Sequence, residues 1–463
     1  MSEWIQKLKQ KLEAFGEGRV SDREEDLLAN SGDKWFATGR PEVVVYPEST
    51  EEVVQVMKFS KEHDVVVTTR GAGVGYVGGC VPVKGGIVLS MIRMKRILEI
   101  NVEDGVAVVE PGVITGDLQD AVRALGWFYP PDPASIRECS IGGNIATNAG
   151  GPHCLKYGVT RPYVLGLEVV LADGTVVQAG GRTHKNKSGF DLVGIFVGSE
   201  GMLGVVTKAI LRIIPHPPTR SAVSVGFADM RLAAAAVQKV FSGGFLPSAL
   251  EIADAFTLQA ARNYLGADSI PEGDAHLIVE IDGHEESVAS EIQKLVRIVQ
   301  DAGGIKPTVA QGDQACEAFW KMRREYSYSL RATGLIKLNE DITVPRSCLV
   351  PLIELAERLY KESGHAVACF GHAGDGNIHV NIMVDGYEDP EVRKQVEGVL
   401  DQLFEQVVKW GGAISGEHGI GIAKKRWWAK LAATGVEDLH QRLKWALDPE
   451  DRLNPGKFIE KSD

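Results

Sequence analysis

The chain reads Arg70-Gly71-Ala72-Gly73-Val74-Gly75-Tyr76-Val77-Gly78-Gly79 directly after a β-branched run, Val65 to Thr69, that predicts a strand. Gly73 to Gly78 fits the G-x-G-x-x-G pattern, which opens a helix in a nicotinamide-binding Rossmann fold. Here Gly79 is followed by Cys80-Val81-Pro82, which cannot continue a regular helix. The stretch therefore predicts a loop whose backbone N–H groups approach a ligand, and it argues against a nicotinamide dehydrogenase.

Further glycine-rich segments follow in the same half of the chain: Ser140-Ile141-Gly142-Gly143-Asn144, Asn148-Ala149-Gly150-Gly151 and Gly198-Ser199-Glu200-Gly201. A proline-rich loop, Pro131-Asp132-Pro133, precedes them. Isolated glycines usually serve tight turns, but clusters that also carry Ser and Asn donors are typical of a pyrophosphate cradled by several loops. The pattern favours a phosphate-bearing cofactor held by more than one loop.

Two segments near the C-terminal end place imidazoles between glycines: Gly371-His372-Ala373-Gly374-Asp375-Gly376-Asn377-Ile378-His379 and Ser415-Gly416-Glu417-His418-Gly419. A lone His is usually a surface or satisfied core residue, but these glycines let the backbone approach closely. His372, His379 and Glu417 form the two-His, one-carboxylate set of an open metal site. The set suits a divalent metal (zinc, manganese, iron or cobalt), and His418 remains beside the carboxylate as a candidate general base.

Bulk properties narrow the class of protein. A chain of 463 residues is long enough for two or three domains. The net charge of −12 argues against binding of nucleic acid or of an anionic membrane surface. No apolar run is long enough for membrane insertion and the N-terminus has no signal pattern, so we expect a cytoplasmic protein. The six cysteines form no C-x-x-C pair, so if the protein transfers electrons, any iron–sulfur site must lie on a partner.

Local patterns predict how the chain is divided. Ser49-Thr50-Glu51-Glu52 is a capping box that opens a helix, and Asp173-Gly174 predicts a hairpin. Pro215-His216-Pro217-Pro218 is the best linker candidate, and beyond it helices and short strands alternate as in an α+β domain. We therefore expect domains at 1–216, 217–415 and 416–463.

Taken together, these segments resemble the FAD-binding domain of the vanillyl-alcohol oxidase / p-cresol methylhydroxylase flavoprotein family, and the second half resembles its FAD-linked oxidase C-terminal partner. The resemblance implies an α+β fold: a two-part FAD-binding domain, then an α+β substrate (cap) domain whose C-terminal segment returns to the FAD domain. Some members attach flavin covalently through a His of the first loop. Residues 70–79 contain no His, so we expect non-covalent FAD.

The resemblance also implies which residues contact the cofactor. They are Arg70, Gly71, Ala72, Gly73, Val74, Gly75, Tyr76, Pro131, Asp132, Pro133, Ser140, Gly142, Gly143, Asn144, Asn148, Gly150, Gly198, Glu200, Gly201, Val206 and Asn454.

The whole chain is similar to D-2-hydroxy-acid dehydrogenases, which implies oxidation of a small 2-hydroxy acid, D-lactate favoured, by hydride transfer to flavin N5. Trp320-Lys321-Met322-Arg323 resembles the family's W-x-x-R, so Arg323, or its neighbour Arg324, is expected to bind the substrate carboxylate. Lys337 is a second cationic candidate. Asn381, two residues past His379 on a predicted strand, would project on the same side.

Several alternatives stay open at this stage. The chain is also compatible with a non-catalytic FAD subunit of an electron-transfer complex, with glycolate or D-2-hydroxyglutarate as substrate, or with an oxidase that uses oxygen. The expected electron acceptor is an electron-transferring flavoprotein or an iron–sulfur subunit, in a homodimer or a hetero-complex.

Overall fold

The chain forms two compact units in a computed structural model that describes residues 3–460. Within the described residues, the first unit comprises 3–150, 159–216 and 417–460, and the second comprises 151–158 and 217–416. Neither unit is a continuous stretch of sequence, because 151–158 leaves the first unit and 417–460 rejoins it.

The elements of residues 3–216 are α1 (Glu3–Glu13), β1 (Val20–Ser21), α2 (Glu24–Ala29), β2 (Val43–Val45), α3 (Thr50–His63), β3 (Val67–Arg70), β4 (Ile87–Ser90), β5 (Ile97–Asn101), β6 (Val106–Val109), α4 (Thr115–Arg123), β7 (Trp127–Phe128), α5 (Ile141–Thr147), α6 (Cys154–Tyr157), β8 (Val164–Val170), β9 (Val176–Gly180), α7 (Leu192–Phe196), β10 (Val205–Arg212) and β11 (Ile214–Pro215).

Two sheets build the first unit. One has the order β1-β2-β4-β3, in which β4 is parallel to both β2 and β3, and the other is antiparallel with the order β5-β6-β10-β8-β9. The predicted capping box is confirmed, because the Ser49 hydroxyl accepts the Glu52 N–H at 3.2 Å and begins α3. The apolar face of α3 packs with α1 in one core above the parallel strands.

The remaining elements are β12 (Thr219–Phe227), α8 (Met230–Ser242), β13 (Ala249–Ala253), α9 (Ala255–Leu265), β14 (Ala275–Gly283), α10 (Glu285–Asp301), β15 (Ile305–Gln311), α11 (Asp313–Arg331), β16 (Ile336–Thr343), α12 (Leu349–Ser363), β17 (Ala366–His372), β18 (Asn377–Val384), α13 (Pro390–Lys409), α14 (Lys425–Leu431) and α15 (Thr434–Leu447).

The second unit is built on one antiparallel sheet in the order β15-β12-β14-β13-β17-β18-β16. Strands β17 and β18 form a hairpin, and the tight turn 373–376 joins them between His372 and His379. Helix α11 packs against α9 and β12. The alternation of strands and helices predicted for this half is confirmed, although the sequence patterns missed β13, β15, β16, α9 and α11.

The C-terminal segment completes the first unit, as the resemblance implied. Leu453 pairs in parallel with Val67 of β3, and Asn454 N–H donates to the Val67 carbonyl at 2.7 Å. Lys444 on α15 is fully buried, and its ammonium group bonds the carboxylate of Asp448 at 2.5 Å and that of Asp451 at 3.1 Å. Among residues 3–460, no helix is both long enough and apolar enough to cross a bilayer.

Replacing Asp448 by Ala should destabilise the first unit strongly. The change leaves the buried Lys444 ammonium without its closest partner and also removes the acceptor of the Arg452 and Leu453 N–H groups. Loss of one partner of a buried ion pair costs about 3–5 kcal/mol, which urea unfolding would measure.

The matched control for this variant is Asp438→Ala on α15, the helix that Asp448 follows directly. Asp438 pairs with Arg442 at the surface, where both side chains are more than half exposed. Such a pair contributes roughly 0–1 kcal/mol. Equal losses in the two variants would contradict the structural role assigned to Asp448.

Candidate active site

The first glycine-rich loop leaves no room for a side chain at Gly71 or Gly73. A Cβ on Gly71 would lie 2.5 Å from the Ser140 hydroxyl, and a Cβ on Gly73, whose φ is +72°, would lie 2.0 Å from the Arg70 guanidinium group. Ala72 N–H donates to the same Ser140 hydroxyl at 3.3 Å. The loop therefore lies directly against the N-terminal end of α5.

The N-terminal end of α5 is built for close approach. Ser140 caps the helix by accepting the Gly143 N–H, and a Cβ on Gly142 would lie 2.6 Å from Pro111. The Asn144 amide donates to the Thr115 hydroxyl at 2.6 Å, which fixes the first turn. The N–H groups of Ile141, Gly142 and Gly143 bond within the protein. The N–H groups of the adjacent glycine loop are therefore the ones that suit the negative charge of a pyrophosphate.

The glycine-rich segment 198–201 is hydrogen-bonded to the same helix. Gly198 N–H donates to the Ile145 carbonyl and Glu200 N–H to the Ala146 carbonyl, both at 2.8 Å. Asn148 ends α5 with φ +52° and accepts the Arg161 N–H at 2.8 Å. Glycine-rich segments that are far apart in sequence thus meet around α5.

Glu200 and Asn454 bind protein backbone in this arrangement. The Glu200 carboxylate accepts the N–H groups of Ile420 and Gly421 at 2.7 and 2.8 Å. Burial raises its pKa to about 7, although these hydrogen bonds and Lys457 act in the opposite direction. The Asn454 amide donates to the carbonyls of Gly79 and Glu200. Both residues hold the C-terminal segment in place beside the loops.

Arg70 is likewise committed to the protein. Its guanidinium group donates to the carbonyl of Gly32 at 2.7 Å and contacts Cys80. In this structure the guanidinium group shapes the loop, and its contact with the cofactor stays a prediction. The other predicted cofactor residues also lie in the first unit: Val74, Gly75, Tyr76, Pro131, Asp132, Pro133, Gly150, Gly201 and Val206.

Orphaned polar atoms support a ligand in this unit. Within residues 3–460, the hydroxyl groups of Thr69 and Tyr129 are buried without a hydrogen-bond partner. Thr69 directly precedes the first glycine loop, and Tyr129 precedes the loop Pro131-Asp132-Pro133. Buried hydroxyl groups without a partner are rare in folded proteins. These two, with the cradle around α5, fit a bound dinucleotide.

The predicted metal ligands are brought together. His372 and His379 lie at the facing ends of β17 and β18, with ring centroids 5.8 Å apart. His372, His379 and Glu417 each offer a ligand atom, and these atoms lie within 4.8 Å of one another. Two imidazoles and a carboxylate at this spacing fit a divalent cation with positions open to substrate. His418 lies against Tyr76, with ring centroids 5.3 Å apart.

Glu251 on β13 supports this site and was missed by the sequence patterns. Its carboxylate is 2.5 Å from His372 Nδ1 and accepts Arg323 Nε–H at 2.7 Å. Burial by itself raises the pKa of the carboxyl, but the charges of His372 and Arg323 outweigh it and bring the pKa to about 2. A carboxylate behind a ligating imidazole fixes the ring and its tautomer.

The segment before Glu417 is anchored by Asp341, which the sequence patterns also missed. Asp341 is fully buried and accepts the Gly416 N–H at 2.9 Å, the Ser415 hydroxyl at 3.0 Å and the Asn377 amide at 2.7 Å. A Cβ on Gly416 would lie 2.2 Å from the Asn377 amide nitrogen. Only glycine therefore fits directly before the carboxylate ligand.

The structure changes the picture of Arg323. Its Nε and Nη2 atoms both contact one oxygen of Glu251, at 2.7 and 2.6 Å, and the group lies over the Phe370 ring. Arg323 was predicted to bind the substrate carboxylate. The Nε and Nη2 edge of its guanidinium group cannot do so, because the buried Glu251 carboxylate occupies that edge. Arg324 is exposed and pairs with Glu317.

Lys337 and Asn381 lie on neighbouring strands. Lys337 donates to the Ser327 hydroxyl at 2.7 Å and lies over Phe370. Burial, together with the nearby charges of Arg331 and Arg323, lowers its pKa to about 7. Asn381 is fully buried and donates to the carbonyls of Ala368 and His379, so its amide holds the β17–β18 hairpin.

Comparison with known proteins identifies the family. Residues 216–458 match the family of FAD linked oxidases, C-terminal domain, and residues 41–180 match an FAD binding domain. The chain belongs to the FAD-linked oxidase family. It is therefore an FAD-linked oxidoreductase, which confirms the predicted flavin and enzyme class.

Individual relatives of this family member cover nearly its full length. It is 38% identical over 422 residues to glycolate oxidase subunit GlcD of Bacillus subtilis (strain 168), covering 91% of this chain and 89% of the relative. It is 35% identical over 464 residues to D-lactate dehydrogenase of Archaeoglobus fulgidus, covering 99% of each. A crystal structure of p-cresol methylhydroxylase with substrate bound matches with a TM-score of 0.79 at 20% identity, covering 99% of this chain and 96% of that one. That likeness confirms the predicted fold class.

Replacing Glu251 by Gln should weaken metal binding without preventing it. The amide no longer offers His372 a charged acceptor, and loss of such a partner typically lowers metal affinity about 10–100-fold. Zinc titration of the purified full chain against a competing chelator would measure the change.

Glu168→Gln serves as the control for that titration. Glu168 is a buried carboxylate of β8 that accepts from Thr50 and Thr207 in the first unit. This variant should keep wild-type zinc affinity. Unchanged affinity in Glu251→Gln would refute the supporting role of Glu251.

Proposed function

We propose that this FAD-linked oxidoreductase oxidises a D-2-hydroxy acid, with D-lactate favoured, to the 2-oxo acid, and that a divalent metal assists. The observation that carries the proposal is the group of His372, His379 and Glu417, with Glu251 behind His372. Two relatives support the substrate class, since their names specify glycolate and D-lactate as what those proteins act on.

The reaction removes two hydrogens from the substrate. The α-carbon loses a hydride, the hydroxyl group loses a proton, and the C–O bond becomes a carbonyl. FAD, when bound, supplies the acceptor for the hydride. A divalent metal, when bound, supplies a Lewis acid that polarises the hydroxyl and carboxylate oxygens. His372, His379 and Glu417 would hold that metal.

His418 is proposed to take the hydroxyl proton. It follows the ligand Glu417 directly, and imidazole accepts protons readily at neutral pH. The Glu200 carboxylate fixes the backbone of Ile420 and Gly421, two and three residues further on. A base on a segment held this way keeps its distance to a substrate more uniform than a base on an unanchored loop.

Arg323 and Lys337 are proposed to supply the positive charge that attracts the substrate carboxylate. Both lie over the Phe370 ring in the second unit, at 4.7 and 5.6 Å from its centroid. Glu251 neutralises part of the charge of Arg323, so Lys337 is proposed to make the larger contribution.

Electrons are proposed to leave through a protein partner, an electron-transferring flavoprotein or an iron–sulfur subunit, in a cytoplasmic homodimer or hetero-complex. The chain carries six free cysteines and no C-x-x-C pair, which supports an acceptor outside the chain. Turnover should accordingly be fast with an artificial dye and slow with oxygen.

Anaerobic addition of D-lactate should bleach the flavin absorption band of the purified protein. Chelation should abolish bleaching and added zinc or manganese should restore it. His372→Ala and His379→Ala should retain the flavin band, because the cradle lies in the other unit, yet reduce the bleaching rate by roughly 10²–10⁴-fold.

L-Lactate is the control substrate for this experiment. D-Lactate, glycolate and D-2-hydroxyglutarate should be compared at equal concentration. A flavin band indifferent to all of them would favour the alternative of a non-catalytic electron-transfer subunit, and rapid turnover on oxygen alone would refute the partner proposal.

The KM for D-lactate should rise with pH because of Lys337. Its pKa is lowered to about 7, so the ammonium is charged below that pH and neutral above it. The attraction to a carboxylate is therefore lost as pH rises, and KM should increase about tenfold between about pH 6 and pH 8.

Lys337→Arg keeps its charge throughout this range and should give a nearly constant KM. Steady-state kinetics at several pH values would measure both proteins. A wild-type KM that is independent of pH would exclude Lys337 as the main carboxylate contact.

A further inference from the structure

A short excursion of the chain links the flavin cradle to the metal-ligand hairpin. The chain leaves the first unit at Gly150 and returns at Val159. Its two ends are tied together in that unit, because the Thr160 N–H and hydroxyl both donate to the Ala149 carbonyl, at 3.1 and 2.9 Å. Asn148 and Gly150, at this base, are among the residues predicted to contact FAD.

The tip of the excursion is fixed to β14 of the second unit. His153 Nε2 lies 3.0 Å from Glu280 Oε1, and the Tyr157 hydroxyl donates to Asp282 at 2.7 Å. Lys156 donates to the Asp282 carbonyl at 3.0 Å. These contacts hold the middle of the segment Gly151–Gly158 against β14.

Leu155, between these anchors, contacts the turn that joins the metal ligands. A Cβ built on Gly374 would lie 2.4 Å from Leu155 Cδ2 and 3.2 Å from Leu250 Cβ. Gly374 N–H also donates to the Leu250 carbonyl at 3.2 Å. The turn between His372 and His379 is therefore held between the Leu155 side chain and β13.

We propose that Leu155 is a positioning residue that couples FAD binding to metal binding. This inference rests on the proposed function. Bound FAD would order Asn148 and Gly150 and thereby limit the movement of residues 151–158. Leu155 would in turn limit the conformations of the 373–376 turn. Metal binding then loses less conformational entropy, because its ligands are already ordered, so the metal affinity rises. Linkage requires that metal raise FAD affinity by the same factor.

The test is a zinc titration of the full chain, flavin-free and FAD-loaded, against a competing chelator. Zinc should bind wild-type protein at least about fivefold more tightly when FAD is present. In Leu155→Ala this ratio should fall to about one, while FAD affinity of the metal-free protein stays near wild type. Leu155→Val is the milder second variant and should give an intermediate ratio.

A complementary substitution separates positioning from simple damage. Gly374→Ala alone should collide with Leu155 and weaken zinc binding. In the Leu155→Ala background the added methyl group fills the space that Leu155 vacates, so the double variant should regain part of the FAD-dependent ratio. Leu246→Ala, at a leucine of the second unit that is 58% exposed, is the matched control and should keep the wild-type ratio.

The outcomes distinguish this inference from the proposed function. Equal zinc affinities with and without FAD in wild-type protein would overturn the coupling and leave the proposed metal site standing. A wild-type ratio that survives in Leu155→Ala would overturn the role of Leu155. Absence of zinc binding in every protein would overturn the proposed metal dependence and the coupling together.

Discussion

The buried carboxylate of Glu251 is the interaction on which the metal-ligand half of the structure depends. It touches Arg323 on α11 and His372 on β17, so one side chain joins a helix and two strands. Burying a carboxylate alone costs several kcal/mol. The contacts with Arg323 and His372 offset that cost, and the carboxylate in turn fixes the orientation of both side chains. The position of His372 thus depends on a residue that need not touch the substrate.

The flavin half depends on backbone geometry instead of charge. Gly71, Gly73 and Gly142 lie where any side chain would collide with a neighbour. Close backbone approach leaves peptide N–H groups as the donors, and such donors cannot be displaced by rotamer changes. Glu200 is the exception, because its carboxylate serves as an acceptor for the C-terminal segment. The first unit thus relies on closely packed glycine loops, and the second unit relies on the ion pair of Glu251 with Arg323.

Sequence reasoning succeeded where a pattern is local. The glycine loops and the Ser49 cap are signalled by neighbours within a few residues. The same holds for His372 and His379, whose metal-binding role stays a prediction. Glu251 carries no such signal, since it lies 121 residues from His372 in the chain and pairs with it only through the sheet. Asp341 was missed for the same reason, because its partners Ser415 and Gly416 lie 74 and 75 residues away in the chain. Arg323 was identified as a candidate, but its contact with Glu251 was not foreseen, because Glu251 lies 72 residues away in the chain.

The order of the chain has a consequence for biosynthesis. The second unit has its last residue at Gly416, whereas the first unit still needs the bridge of Leu453 to β3 and the buried Lys457. During translation, all residues of the second unit are therefore synthesised before the last residues of the first unit. The edge of β3 stays uncovered by the segment 453–457 until those residues emerge from the ribosome, and an uncovered strand edge favours aggregation.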